Sequence, residues 1–181
     1  LLKFSYFGAV MMQIPPLANL LDLGCGDGSV SSLFINKRRC NVVGIDVSRK
    51  ALCIAKETGL HVINSDLTMN HLPIKDETFE VVTMIDVLEH TSSPFDLLSE
   101  TRRVLVPGGS VLVLTPNFAR IVKRFRMLTG DPRDLLHWDR KYGDGKEHLQ
   151  WFTVPKLRSY LRSCGFENVR LVPVGLNPPW E

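Results

Sequence analysis

Apolar residues along this chain come in short runs, separated by stretches in which they recur every three or four positions. The runs fall at 17–23, Asn41–Asp46, His61–Asn64, 79–86, 110–115 and 169–174. Each is the length of a β-strand. The fourth, Phe-Glu-Val-Val-Thr-Met-Ile-Asp, is almost continuously apolar, as a strand covered on both faces must be. The stretches Ser29–Arg38, 48–58, 93–104 and 154–164 read as helices. Ser48 is a natural N-cap with Gly59 as the stop, Ser93 precedes a Pro94 at the first helical position, and Gly165 closes the last helix. Pro107-Gly108-Gly109 reads as a tight turn before the fifth strand. Strands alternating with helices predict βαβ crossovers. The expected fold is therefore an α/β, doubly wound, mostly parallel sheet with helices on both faces.

Composition narrows this picture without redirecting it. With 181 residues, 44% hydrophobic and 23% charged, the chain has the size and balance of a single globular domain over 1–181. No apolar run reaches the ~18 residues of a membrane span. Residues 1–13 are apolar but lack the cleavage signal of a secretory leader. The chain also begins without Met, as a piece of a longer protein would. Cys25, Cys40, Cys53 and Cys164 form no C-x-x-C pair and have no histidine pair nearby. They read as free thiols of a reducing, cytoplasmic compartment, and no metal site is expected.

The chemistry gathers where the first strand ends, in Leu-Asp-Leu-Gly-Cys-Gly-Asp-Gly (Leu21 to Gly28). Gly24, Gly26 and Gly28 let the backbone turn sharply and approach a ligand that a Cβ would push away. The dinucleotide fingerprint G-x-G-x-x-G is not met, because Ser29 follows Gly28. Asp22 inside the run suits a ligand with a cationic group, such as the α-ammonium of a methionine moiety, better than an anionic pyrophosphate. Further acids close three more strands: Asp46, Asp66 and Asp86. Sheets of this kind bind ligands at the carboxyl ends of their strands. Asp46 can accept from the hydroxyls of an adenosine ribose, and it can equally act as a charge before the helix that Ser48 caps. Asp66 can accept from an adenine amino group, with Leu67 over the ring, or can simply form an Asx-turn. The Ile85 carbonyl can take an ammonium group, and Glu89 or His90, just past it, can face a reacting centre or be structural.

The glycine turn, Gly44-Ile45-Asp46-Val47-Ser48, Asp66, Phe79-Glu80-Val81-Val82, Asp86-Val87-Leu88-Glu89-His90 and Arg103-Val104-Leu105-Val106-Pro107-Gly108-Gly109 occur in the order seen in small class I methyltransferases of the type 11, ubiquinone-biosynthesis-like group. The chain resembles that family over most of its length, and Glu147-His148-Leu149-Gln150-Trp151-Phe152-Thr153 adds to the likeness. The resemblance implies a Rossmann-like fold and S-adenosylmethionine (SAM) as cofactor, with S-adenosylhomocysteine as product. It implies cofactor contacts from Asp22, Gly24, Cys25, Gly26, Gly28, Asp46, Val47, Asp66, Leu67, Ile85 and Asp86. Glu89 and His90 are the candidates for acid–base work, although methyl transfer from a sulfonium relies mainly on alignment. The family's closing strand hairpin is matched only by 169–174.

Residues 117–150 are long for an α/β connection and read as a variable insertion or lid over the acceptor. Between Arg120 and Glu147, eight Lys and Arg outnumber five acids, an excess equal to the chain's net charge of +3. Ile121, Phe125 and Leu128 recur at helical spacing there, and Trp138, Tyr142, His148 and Trp151 are candidates to shape the acceptor pocket. This favours a small-molecule or lipid-linked acceptor with anionic character over nucleic acid, whose usual binding modules are absent. The rival readings are a non-catalytic SAM- or nucleoside-binding partner subunit and a nucleic-acid methyltransferase. A nicotinamide-dependent oxidoreductase needs the third glycine one residue later, where Ser29 stands, and a hydride-transfer acid such as a Tyr-x-x-x-Lys pair. Asn177-Pro178-Pro179-Trp180 imitates the amine-gripping motif of amino-methyltransferases but stands some ninety residues too late in the chain.

Overall fold

The computed structural model describes residues 6–68, 71–117 and 149–172. Among them the elements run α1 (Tyr6–Gln13), β1 (Asn19–Leu23), α2 (Ser29–Arg38), β2 (Asn41–Asp46), α3 (Arg49–Glu57), β3 (His61–Asn64), β4 (Phe79–Ile85), a 3-10 turn (Leu88–His90), α4 (Pro94–Val104), β5 (Leu105–Leu114) and α5 (Val154–Ser163). The five strands form one parallel sheet in the order β3-β2-β1-β4-β5. The chain winds outward from β1 to β3, then returns to lay β4 on the other side of β1. That reversal opens a crevice at the carboxyl ends of β1 and β4.

Strand periodicity divides the core. Leu21, Leu23, Val82 and Met84 face one side, where Leu97, Leu98 and Val104 of α4 and Leu161 of α5 bury against them. Leu20, Val42 and Val81 face the other, under Val10 of α1, Phe34 of α2 and Leu52 and Ala55 of α3. Burial of each such side chain contributes about 1.5–3 kcal/mol. Right-handed crossovers running in opposite directions from β1 require this split of helices between the faces.

The local signals hold at several ends. Ser48 accepts from the Ala51 N–H and caps α3, and Thr153 does the same for α5 through Lys156. Gly59 and Gly165 follow their helices with φ +86° and +82°. Ser93 occupies the position before α4, but its side chain makes no cap bond.

Three expectations need correction. The first strand starts at Asn19, because Leu17 turns through φ +65° and is exposed. Pro107-Gly108-Gly109 does not separate elements: β5 begins at Leu105 and carries the three residues as a bulge. Its register partner moves from Phe79 to Val81 while β5 advances from Leu105 to Ser110. The run 169–172 forms no ladder; Val169 packs on the core while Leu171 and Val172 are exposed. The rest of the sixth run, the basic segment with its aromatic residues up to His148, and the Asn-Pro-Pro-Trp tail lie outside the described residues. Helix α1 had no sequence signal. Its C-terminal Met11 carbonyl accepts two bonds from the Arg38 guanidinium, at 2.9 and 2.6 Å.

Candidate functional site

The glycine turn leaves β1 at the crevice and is held by its own N–H groups. Gly24 and Cys25 donate to the Ile45 carbonyl at 2.7 and 3.1 Å, and Gly28 donates to the Cys25 carbonyl at 3.0 Å. The Gly26 N–H reaches Asp46 Oδ2 at 2.9 Å. Asp27 Oδ1 accepts from both the N–H and the hydroxyl of Ser29, which holds its carboxyl below the usual range. Each glycine has φ in the left-handed region, but the surroundings differ. A Cβ at Gly24 would collide with Val87 Cγ2, and one at Gly28 would meet the α3 backbone at Ala55 at 3.1 Å. A Cβ at Gly26 would meet nothing within 4 Å. The first and third glycines thus serve close packing, and the middle one faces open space.

Asp46, 7% exposed, ties this turn to the next strand. Its Oδ2 takes Gly26 and its Oδ1 takes the Ser48 N–H at 2.8 Å. One lone pair per oxygen is used and one is left. Beside it Val47 is 62% exposed, an apolar side chain presented at the crevice rim. Asn64 Nδ2 donates to the carbonyls of Asp46 and Val47 at 3.0 and 2.9 Å, and so fixes the strand end from β3. Asp66 is exposed and forms an Asx-turn, with Oδ1 accepting the Thr68 N–H and hydroxyl at 2.8 Å each. Those bonds hold its carboxyl below the usual range. Leu67 packs partly on the core.

Asp22 lies one residue inside β1 and is buried. Thr83 on β4 donates to Oδ1 at 2.7 Å, and Ser31 on α2 donates to Oδ2. Burial pushes this carboxyl up to about 6 in spite of both hydroxyls. Thr83 is its direct register partner on one side and Gly44 on the other. A Cβ at Gly44 would come within 2.6 Å of Cys25 Sγ. Cys25 is itself buried, which pushes its thiol up to about 12 and leaves it an inert, space-filling group. Ser31, Thr83, Gly44 and Asn64 did not stand out in the sequence as site residues. The signal was available at Thr83, a polar residue inside the apolar run 81–85.

At the end of β4, Ile85 is half-buried and Asp86 turns with φ +51°, donating its N–H to Leu114 at 2.9 Å. Such a conformation is uncommon outside glycine, though Asp tolerates it better than most. Val87 then packs onto the glycine turn, and the 3-10 turn follows. Glu89 is 3% exposed: Oε2 accepts from Thr115 at 3.0 Å, while Oε1 has no hydrogen-bond partner. Burial raises its carboxyl above the ordinary value. The Glu89 carbonyl accepts the N–H groups of Leu149 and Gln150, both at 2.9 Å. His90 is half-buried, with its N–H on the Val87 carbonyl. Trp151 is 38% exposed beside them. The glycine turn and the ends of β1, β2, β3 and β4 therefore meet along one edge of the sheet, with Glu89 and His90 on its β5 side.

A family model described as a methyltransferase domain matches residues 5–171. The chain is 30% identical over 171 residues to a tRNA U34 carboxymethyltransferase of Glaesserella parasuis, covering 90% of this chain and 50% of that protein. It is 27% identical over 174 residues to a demethylmenaquinone methyltransferase of Tropheryma whipplei, covering 87% and 70%. Its fold is similar to that of a SAM-dependent methyltransferase from Archaeoglobus fulgidus, with a TM-score of 0.70 at 18% identity, over 90% of this chain and 66% of that one. The chain spans about half the length of the tRNA U34 carboxymethyltransferases it matches. With the match running from before β1 to beyond α5, and the parallel sheet and glycine turn in place beneath it, the chain belongs to the methyltransferase-domain family.

Proposed function

We propose that this chain binds S-adenosylmethionine along the carboxyl edge of β1, β2 and β4 and transfers its methyl group to a small-molecule or lipid-like acceptor. The observation that carries this reading is the Asp46 carboxylate. It is buried, fixed by the Gly26 and Ser48 N–H groups, and keeps acceptor capacity on both oxygens beside the open face of Gly26. Such a group fits a pair of ribose hydroxyls. The N–H groups of Gly24, Cys25, Gly26, Gly28 and Ser29 are all bonded within the protein, so the turn offers a pyrophosphate little to hold. The acids along the edge suit a cation instead.

In this reading Gly26 admits the cofactor to the backbone, and Asp46 and Val47 hold its ribose and one face of its adenosine. Asp66 and Leu67 receive the adenine. Gly24, Cys25 and Gly28 keep the turn close to Val87 and α3, and Asp22 fixes β1 beneath it. Ile85 and Asp86 take the methionine end. Bound there, the cofactor supplies a methyl group activated by its sulfonium, with S-adenosylhomocysteine as the leaving product. Alignment by the rigid strand ends supplies most of what the protein contributes. His90 and Glu89 stand on the side where the acceptor enters.

Calorimetric titration with SAM, S-adenosylhomocysteine and NAD tests the reading. Micromolar binding of the first two and silence from NAD is the expected result; the reverse pattern overturns it. A second acceptor, a tRNA base, is favoured by one specific observation: several curated relatives near 30% identity are named for tRNA U34. Transfer of a labelled methyl group to bulk tRNA, with none to quinol or phenol substrates, would select that acceptor.

A further inference from the structure

The one buried side-chain polar atom without a partner among the described residues is Glu89 Oε1. Leaving a buried carboxylate oxygen unmade is costly, and native proteins seldom do so without a reason. Glu89 is tied to its surroundings at two other points. Its Oε2 holds Thr115, one residue past the end of β5, and its carbonyl holds Leu149 and Gln150. Val87, two residues earlier, lies against Gly24 of the glycine turn. The carboxyl is therefore fixed on the same edge as the proposed cofactor site, on its β5 side. Leu149, whose N–H the Glu89 carbonyl holds, and Trp151, two residues further on, are exposed apolar side chains. A buried carboxyl oxygen held in place and left without a protein partner has the makeup of an orienting contact in a small-molecule pocket.

We propose that Glu89 is the polar anchor for the methyl acceptor, and that Oε1 accepts a hydrogen bond from an N–H or O–H group of that molecule. The proposal rests on the methyltransferase reading and goes beyond it by naming the acceptor's chemistry: a group that presents a donor, such as a phenol or enol hydroxyl or the imide N–H of a nucleobase. An acceptor whose donors are capped leaves Oε1 unmatched and is rejected. Discrimination of this kind is stronger than any based on one extra methyl group in an apolar pocket.

The test uses the full chain saturated with S-adenosylhomocysteine and two matched pairs as probes, titrated by calorimetry. One pair is 2-naphthol and 2-methoxynaphthalene; the other is uridine and N3-methyluridine. In at least one pair the donor-bearing member should bind about tenfold or more tighter than its capped partner, the range expected for a hydrogen bond to a charged group. Which pair responds distinguishes a phenolic from a nucleobase acceptor. Glu89→Met keeps the side-chain length and removes both oxygens. It should abolish the preference while S-adenosylhomocysteine affinity stays within about twofold, a sign that the fold is intact. Glu89→Gln, which keeps one oxygen, should retain part of the preference. Absence of any donor preference in the parent protein overturns the proposal, as does a preference that survives in Glu89→Met. Failure of the parent protein to bind S-adenosylhomocysteine at all instead overturns the methyltransferase reading.

Discussion

At the scale of the residue, Asp46 and Asp22 are two buried carboxylates with opposite work to do. Asp46 leaves a lone pair on each oxygen, so Asp46→Ala should weaken SAM binding by about 1–3 kcal/mol, measured by calorimetry. Unchanged affinity would remove the ribose assignment. Asp22 is closed on both sides by hydroxyls, and its folded-state pKa of about 6 lies above the 3.8 of a free side chain. The native protein therefore holds this proton more tightly than the unfolded chain. Its contribution to stability is full below about pH 4, falls as pH rises towards 6, and is flat above. The loss amounts to about 3 kcal/mol at 1.36 kcal/mol per unit. Asp22→Asn should remove that slope. Urea midpoints of the two proteins compared from pH 4 to 7 would reveal it, because the depressed carboxyls of Asp66 and Glu100 act with the opposite sign and are common to both. Much at this scale was legible in advance. The acids at strand ends and the glycines were readable because their spacing reflects the backbone itself. Their partners were less so: Thr83 showed only as a polar residue in an apolar run. Asn64 meets its partner through sheet register, and Ser31 reaches Asp22 from a packed helix, neither of which a one-dimensional pattern carries.

Elements follow the same division. Helix α3 was readable from its cap, and the cap is a measurable part of it: Ser48→Ala should cost about 1 kcal/mol, lowering Tm by about 2–4 °C. A thermal melt unchanged by the substitution would show that Asp46, on the Ser48 N–H, suffices alone. The Pro-Gly-Gly of β5 was misread because proline and glycine signal turns locally, whereas here parallel pairing with β4 resumes beyond them and absorbs the extra residues. Helix α4 carries a further structural device. Arg103 donates to the carbonyls of Leu72 and Ile74 and to Glu100 and Asp76, and so holds the segment that enters β4. Lysine lacks that fork. Arg103→Lys should therefore speed amide exchange in residues 72–78 while leaving that of β1 and β2 unchanged; uniform protection across all three would refute it.

Over the whole molecule, strand alternation predicted the parallel sheet, and the order β3-β2-β1-β4-β5 added what alternation alone does not say: where the winding reverses. That reversal puts residues far apart in the chain on one edge, and no local pattern encodes it. No helix among the described residues is long and apolar enough to cross a membrane. The run at 169–172 illustrates the limit of hydropathy, since it joins no ladder and only Val169 packs on the core, while Leu171 and Val172 are exposed. The acceptor is legible least of all. The segment in which the sequence places it lies mostly outside the described residues, and the relatives named for tRNA share only about half their length with this chain.

Glu89 receives Thr115 through its side chain and Leu149 and Gln150 through its carbonyl, and Asn117 is bridged to Phe152. The chain thus leaves the sheet and comes back to it at neighbouring points, so the thirty or so residues between can be treated as a cassette plugged into a standing socket. Closing so narrow a gap asks little of whatever spans it. Replacement of 118–148 by three glycines should leave SAM affinity unaltered while abolishing transfer. Exchange for the corresponding stretch of a relative should move acceptor choice from one enzyme to another in a single step.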